Sequence, residues 1–72
     1  MNRFPVESTT LASVGYLPDR SLLELEFRDG AVYRFFDVPA NCVQQLLTSG
    51  SKGRYFNSNI RNTFRNQRVS VR

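Results

Sequence analysis

The strongest constraint in this chain is a two-residue alternation interrupted by an aspartate–glycine pair. In SLLELEFR, residues 21–28, Leu23, Leu25 and Phe27 point one way and Leu22, Glu24, Glu26 and Arg28 the other; Asp29-Gly30 follows, and AVYRFFDV resumes at 31–38. Side chains of a strand alternate between faces, so two such runs around a turn pair read as a β-hairpin. The side chains also select its register. A two-residue loop would set Leu25 opposite Arg34 and Glu24 opposite Phe35. A three-residue loop, Arg28-Asp29-Gly30, instead sets Phe27, Leu25 and Leu23 against Ala31, Tyr33 and Phe35 on one apolar face and pairs Glu24 with Arg34 on the other. Opposite charges facing each other across strands attract, so the second register is expected, with Gly30 in the left-handed region closing a bulged turn.

The rest of the chain supplies partners for this hairpin. TLASVGY alternates loosely and predicts a first strand over about 10–16, with Ala12, Val14 and Tyr16 on one side. Leu17-Pro18-Asp19-Arg20 is a turn. Pro39 ends the hairpin and opens a helix over about 39–48, in which Val43, Leu46 and Leu47 form an apolar stripe extended by Ala40. Ser51 is a candidate N-cap for a second helix over about 52–62, whose stripe is Phe56, Ile60 and Phe64. The polar positions Asn57, Ser58, Asn59, Asn62 and Thr63 are weak helix formers, so support for that helix fades beyond Ile60. The expected fold is therefore α+β: a small antiparallel three-stranded sheet (about 10–16, 21–28, 31–37) with both helices packed on it. Residues 1–8 read as an irregular start, 9–66 as one domain, and 67–72, including Val69-Ser70-Val71, as a tail or short strand.

Composition narrows the function. Histidine is absent, which removes the commonest general base, metal ligand and partner of a nucleophilic serine or cysteine. Catalysis would have to run on carboxylates, Lys52, tyrosines or arginines, so no enzyme, no catalytic residue, no cofactor and no metal is expected. The single cysteine, Cys42, excludes an internal disulfide and reads as a small buried hydrophobe on a helix; its reduced state points to the cytoplasm. There is no apolar run long enough to cross a membrane, and Met1-Asn2-Arg3-Phe4-Pro5 lacks the apolar stretch of a secretory signal. Charge is divided unevenly. Residues 1–38 hold four arginines against six acids, whereas residues 39–72 hold Lys52, Arg54, Arg61, Arg65, Arg68 and Arg72 and no acid. Such a block marks either an anionic partner or a solvated face.

Several of these stretches are similar to a known family. VGY at 14–16, LELEF at 23–27, Asp29-Gly30, VYRFFDVP at 32–39 and SKGRYFNSNIR at 51–61 resemble the KTSC domain, named for its occurrence at the C-terminus of some lysyl-tRNA synthetases and found also as small free-standing bacterial proteins. The motif positions carried over are Tyr33, Phe35, Ser51, Gly53 and Asn57. The chain departs from the family's central Tyr-X-Tyr in having Tyr33-Arg34-Phe35; Phe35 lacks a hydroxyl, which matters only if that position binds and not if it packs. The resemblance implies a lone α+β domain and, through the synthetase fusion, RNA as a partner.

The residues that would carry such binding lie in the basic third. In a continuous helix Arg54, Arg61 and Arg65 fall on one side, and Arg68 joins them if the helix runs on. Lys52 and the backbone around Ser51 and Gly53 sit at the helix start, where anions are favoured. Tyr33 and Tyr55 are the candidate stacking residues, Tyr55 being the better placed for exposure and Tyr33 more readily core. Asn57 and Arg61 serve either a ligand or the fold, Arg61 by pairing with Asp37 or Glu26. Two partner classes fit: RNA, bound without sequence preference through the basic face, or another protein, including a second copy met at a sheet edge.

Overall fold

The structure is a computed structural model, and it describes residues 2–69. Among these residues the sheet has five antiparallel strands in simple chain order: β1 (Phe4–Pro5), β2 (Leu11–Leu17), β3 (Leu22–Phe27), β4 (Val32–Phe35) and β5 (Asn66–Val69). A short 3-10 turn (Pro18–Arg20) joins β2 to β3, and helices α1 (Ala40–Thr48) and α2 (Lys52–Asn59) lie between β4 and β5. The expected three-stranded sheet is thus corrected to five. The additions sit at its two edges: β1 in the stretch read as irregular, and β5 where a tail or short strand was expected. Ser70, Val71 and Arg72 lie outside the described residues.

The central hairpin takes the register its side chains select. Leu23 pairs with Phe35, Glu24 with Arg34, Leu25 with Tyr33 and Glu26 with Val32. The turn closes with Gly30 N–H donating to the Phe27 carbonyl at 2.9 Å and Phe27 N–H to the Ala31 carbonyl at 2.8 Å, and Gly30 has φ +96°. The second arm stops at Phe35, short of residue 37, because Asp37 adopts a left-handed φ of +61° that a strand cannot continue. β2 runs one residue later than expected and contains a bulge between Leu11 and Ser13. The extra residue is Ala12, so Leu11, fully buried, takes the core place opposite Phe27 that simple alternation assigns to Ala12.

Leu11, Val14, Leu23, Leu25 and Phe35 of the sheet, with Val38 just after it, pack against Val43 and Leu46 of α1 and against Phe56 and Ile60 of α2 and its cap. α2 ends at Asn59, three residues before the expected 62. The Ile60 and Arg61 N–H groups both donate to the Phe56 carbonyl, at 3.0 and 2.9 Å, and the chain then turns through 61–64. The weak helix formers around this point offer little resistance to such a stop. Phe64 still packs on the core, half-buried, from outside the helix. On the opposite sheet face Glu24, only 6% exposed, is held by two arginines: Arg34 Nε at 2.8 Å and Arg3 at 3.1 Å. In the register Gly15 stands opposite Glu24 on β2, the strand between β1 and β3. This ion triad ties the edge strand β1 to the centre of the sheet.

Candidate nucleic-acid interface

The helix-side face of the sheet does not lie entirely under α1 and α2. Where β4 meets β5, Tyr33 sits beside Arg68 and Phe35 beside Asn66. Across from them stand α2 and the turn that follows it. The gap is a groove of about 520 Å³ lined by Phe27, Ala31, Tyr33, Phe35 and Phe56 below and by Asn57, Arg61, Asn62, Asn66 and Arg68 at the rim, with Thr10 and Asp29 at its end. The aromatic floor is braced edge to face: Phe27 against Tyr33 at 5.9 Å and against Phe56 at 5.2 Å, and Phe35 against Phe56 at 5.6 Å.

A second hollow, of about 500 Å³, adjoins the first, sharing Thr10 and Asn57 with it. It lies between the loop 7–10 and the start of α2, and Lys52 and Arg54 line it with Ser51 and Gly53. Ser51 caps the helix, accepting from Arg54 N–H at 3.4 Å. Gly53 is buried, and a Cβ on it would come to 2.9 Å from Thr10 Cβ, so glycine is what lets the helix start approach the loop. The loop is held by Ser8 Oγ, which accepts from Thr10 and Leu11 N–H at 3.0 and 3.1 Å, and by Arg28, which donates to the Ser8 and Val6 carbonyls at 3.0 and 3.1 Å.

The basic residues are therefore not a single helical ridge. Arg61 lies in a turn, Arg65 in irregular chain and Arg68 in β5, because α2 stops before reaching any of them. Arg61 and Arg68 both line the groove and Arg54 and Lys52 the neighbouring hollow, whereas Arg65 lines neither and sets its guanidinium 5.0 Å from the centre of the Phe36 ring. Among the described residues, neither Arg61 nor any other cation of 52–68 forms an ion pair; Arg61 donates instead to Asn57 Oδ1 at 3.4 Å, and Asp37 and Glu26 play no part. Lys52 Nζ reaches the Ser49 carbonyl at 3.4 Å.

Both tyrosines are half-buried against the core, so the greater exposure expected of Tyr55 is absent. Tyr55 is half-buried and occupied: its hydroxyl lies 3.6 Å from Cys42 Sγ and donates to Gln45 Oε1 at 3.1 Å, joining α2 to α1. That hydroxyl is held above its ordinary 10.0, first by the hydrogen bond to Cys42, then by burial and by its electrostatic interaction with Cys42. Tyr33, half-buried like Tyr55, lines the groove. Phe35, at 2% exposure, packs as core, so its missing hydroxyl takes nothing from the floor. Asn62, read from the sequence only as a weak helix former, and Asn66 join the lining; their only signal as site residues is carboxamide enrichment in a stretch too polar to be core.

Each lining has a single carboxylate, Asp29 in one and Glu7 in the other, and Asp29 Oδ1 is engaged by the Ala31 N–H at 3.0 Å. Nothing in either hollow indicates catalysis. Among the described residues no group of acidic or cysteine side chains is placed to hold a metal ion, and no helix is long and apolar enough to cross a membrane.

Comparison with known proteins places this architecture. A crystal structure of a KTSC domain protein from Yersinia pestis superposes with a TM-score of 0.92 at 35% identity, covering 96% of this chain and 97% of the other. An uncharacterized protein of Stutzerimonas stutzeri is 47% identical over 57 residues, 79% of this chain and 80% of its own length. A lysine–tRNA ligase of Nostoc sp. is 33% identical over 64 residues, which are 89% of this chain but 11% of the ligase. The model of the KTSC domain matches residues 7–64. With the sheet order, the hairpin register and the α2 motif all accounted for, this chain belongs to the KTSC domain family.

Proposed function

We propose that the protein is a non-catalytic RNA-binding module that adds affinity without sequence preference, using the groove and the adjoining hollow as one basic surface. The observation that carries this reading is the state of its cations. Lys52, Arg54, Arg61 and Arg68 line a pair of contiguous concavities, and none forms an ion pair among the described residues. Guanidinium groups kept from internal carboxylates remain available to phosphate. Similarity to a segment of a lysine–tRNA ligase supports a nucleic-acid partner.

Self-association at a sheet edge has less support. β1 is two residues long and contains Pro5, which lacks the N–H a pairing strand would need, while β5 presents exposed Asn66, Gln67 and Arg68.

Titration with tRNA at low salt tests the proposal. Four phosphate contacts on single-stranded segments give a slope of about −3 in log K against log salt. Arg61→Ala and Arg68→Ala each weaken binding equally across unrelated sequences and make the slope shallower by roughly 0.7. No binding at low salt, or binding insensitive to salt, would refute it.

A further inference from the structure

The groove beside Tyr33 has features that attraction to a polyanion does not require. Its floor is aromatic, and its rim carries three carboxamides, Asn57, Asn62 and Asn66, besides the two arginines. Much of this polar capacity is unspent. Asn66 uses Nδ2 on the Phe64 carbonyl at 3.3 Å, leaving Oδ1 open, and Asn57 accepts only the long bond from Arg61. Among the described residues the Asn62 side chain, the Arg68 guanidinium and the Tyr33 hydroxyl make no hydrogen bond, and no buried side-chain polar atom lacks a partner, so these groups face water in the groove. The volume, about 520 Å³, is that of a small-molecule site, typically ~300–1,000 Å³.

Three chemistries converge here. An aromatic floor offers a face to a planar heterocycle. A carboxamide presents a donor and an acceptor side by side, the complement of a base edge. An arginine forks onto phosphate. An acidic peptide would use the arginines but not the floor and amides together, and an apolar ligand would leave the arginines unused.

We infer that the groove is a nucleotide site: it takes one unstacked base against the face of Tyr33, whose ring Phe27 braces at right angles, reads its edge with the asparagines, and holds its phosphate with Arg61 and Arg68. This deepens the RNA reading and rests on it for its biological ligand. A paired base has its edge occupied and its faces stacked, so the site selects single strands over duplex.

The test is an NMR titration of the whole chain with nucleoside 5′-monophosphates, with ribose 5-phosphate as the probe that lacks the base. The monophosphates produce saturable shifts at Tyr33, Asn57, Asn62, Asn66 and Arg68, and ribose 5-phosphate binds at least about fivefold more weakly, since one stacked base contributes roughly 1–3 kcal/mol. Asn62→Ala, in an exposed turn, weakens the monophosphates about fivefold with an unchanged thermal melt. A short single strand binds more tightly than the same strand carrying abasic sites. Equal affinity for the probe with and without a base, equal binding of intact and abasic strands, or shifts that never saturate in the groove would each overturn the inference. The two readings fail separately. RNA binding with the expected salt slope but no shifts from mononucleotides leaves only the electrostatic surface; mononucleotides in the groove without tRNA binding leave only the pocket.

Discussion

Replacing Gly30 by alanine isolates the conformational demand of the turn that sets the hairpin register. A Cβ built on Gly30 has nothing within 4 Å, so no clash contributes; the whole effect comes from φ +96°. For a residue with a Cβ, left-handed backbone costs roughly 1–2 kcal/mol. Alanine also reduces the freedom of the unfolded chain, which returns about 0.4–1 kcal/mol. The net loss is about 1 kcal/mol, which for a domain this size lowers Tm by roughly 4–8 °C. Gly50 provides the control. It is equally open but its φ is not in the left-handed range, so Gly50→Ala should leave the melt unchanged or raise it slightly. Thermal unfolding followed by far-UV circular dichroism on both variants reads the difference directly. A third protein, made by chemical synthesis with D-alanine at position 30, accommodates the positive φ and should melt at or above the parent. Equal melts for Gly30→Ala and Gly50→Ala would refute the reasoning, because the open surroundings leave no other term to cancel the strain. The result bears on the groove as well, since this turn sets Phe27 and Tyr33 beside each other on its floor.

Two further outcomes follow from the packing around the site. Glu24→Gln keeps the side chain's shape but leaves one acceptor oxygen for two arginine donors: the amide Nε2 only donates, so one bond is lost and the other loses its anionic partner; with Arg34 and Arg3 side chains 43% and 28% exposed, the loss after screening is about 1–2 kcal/mol, and a urea midpoint indistinguishable from the parent would show the triad to be worth no more than a surface pair. Gly53→Ala sets overpacking against Thr10, roughly 1–3 kcal/mol, against a gain of about 1 kcal/mol in helix propensity, so the melt should fall, with amide shifts confined to 7–10 and 50–54; an unchanged melt would mean that the loop yields freely.

The hairpin was legible because everything that specifies it is local. Alternation, the Asp29-Gly30 pair and the Glu24–Arg34 match act within a few residues of one another. The α2 cap at Ser51 was legible for the same reason, and the end of α2 was foreshadowed by asparagines that favour no helix. β5 was legible only in part. Val69 belonged to a stretch read as a tail or short strand, but NQRV has no apolar alternation and Val69 as its one strong strand former, and it is extended because the outer edge of β4 offers hydrogen bonds to whatever chain reaches it. Nor does the bulge at Ala12 have a sequence mark; it arises where the Ala12 carbonyl accepts from Val6 N–H at 3.1 Å and Leu11 has to fill the core.

By itself the sequence determined the chemistry available: a histidine-free chain whose cations gather in the last third, around an aromatic hairpin of one register. Only the tertiary structure decided where those cations stand. Once α2 stops at Asn59 the chain turns back onto the sheet, and a pairing 35 positions apart in sequence, Tyr33 with Arg68, brings one wall of the groove to the other. Such a contact depends on closing a long loop and on a free strand edge, neither of which leaves a local signal in the residues it joins.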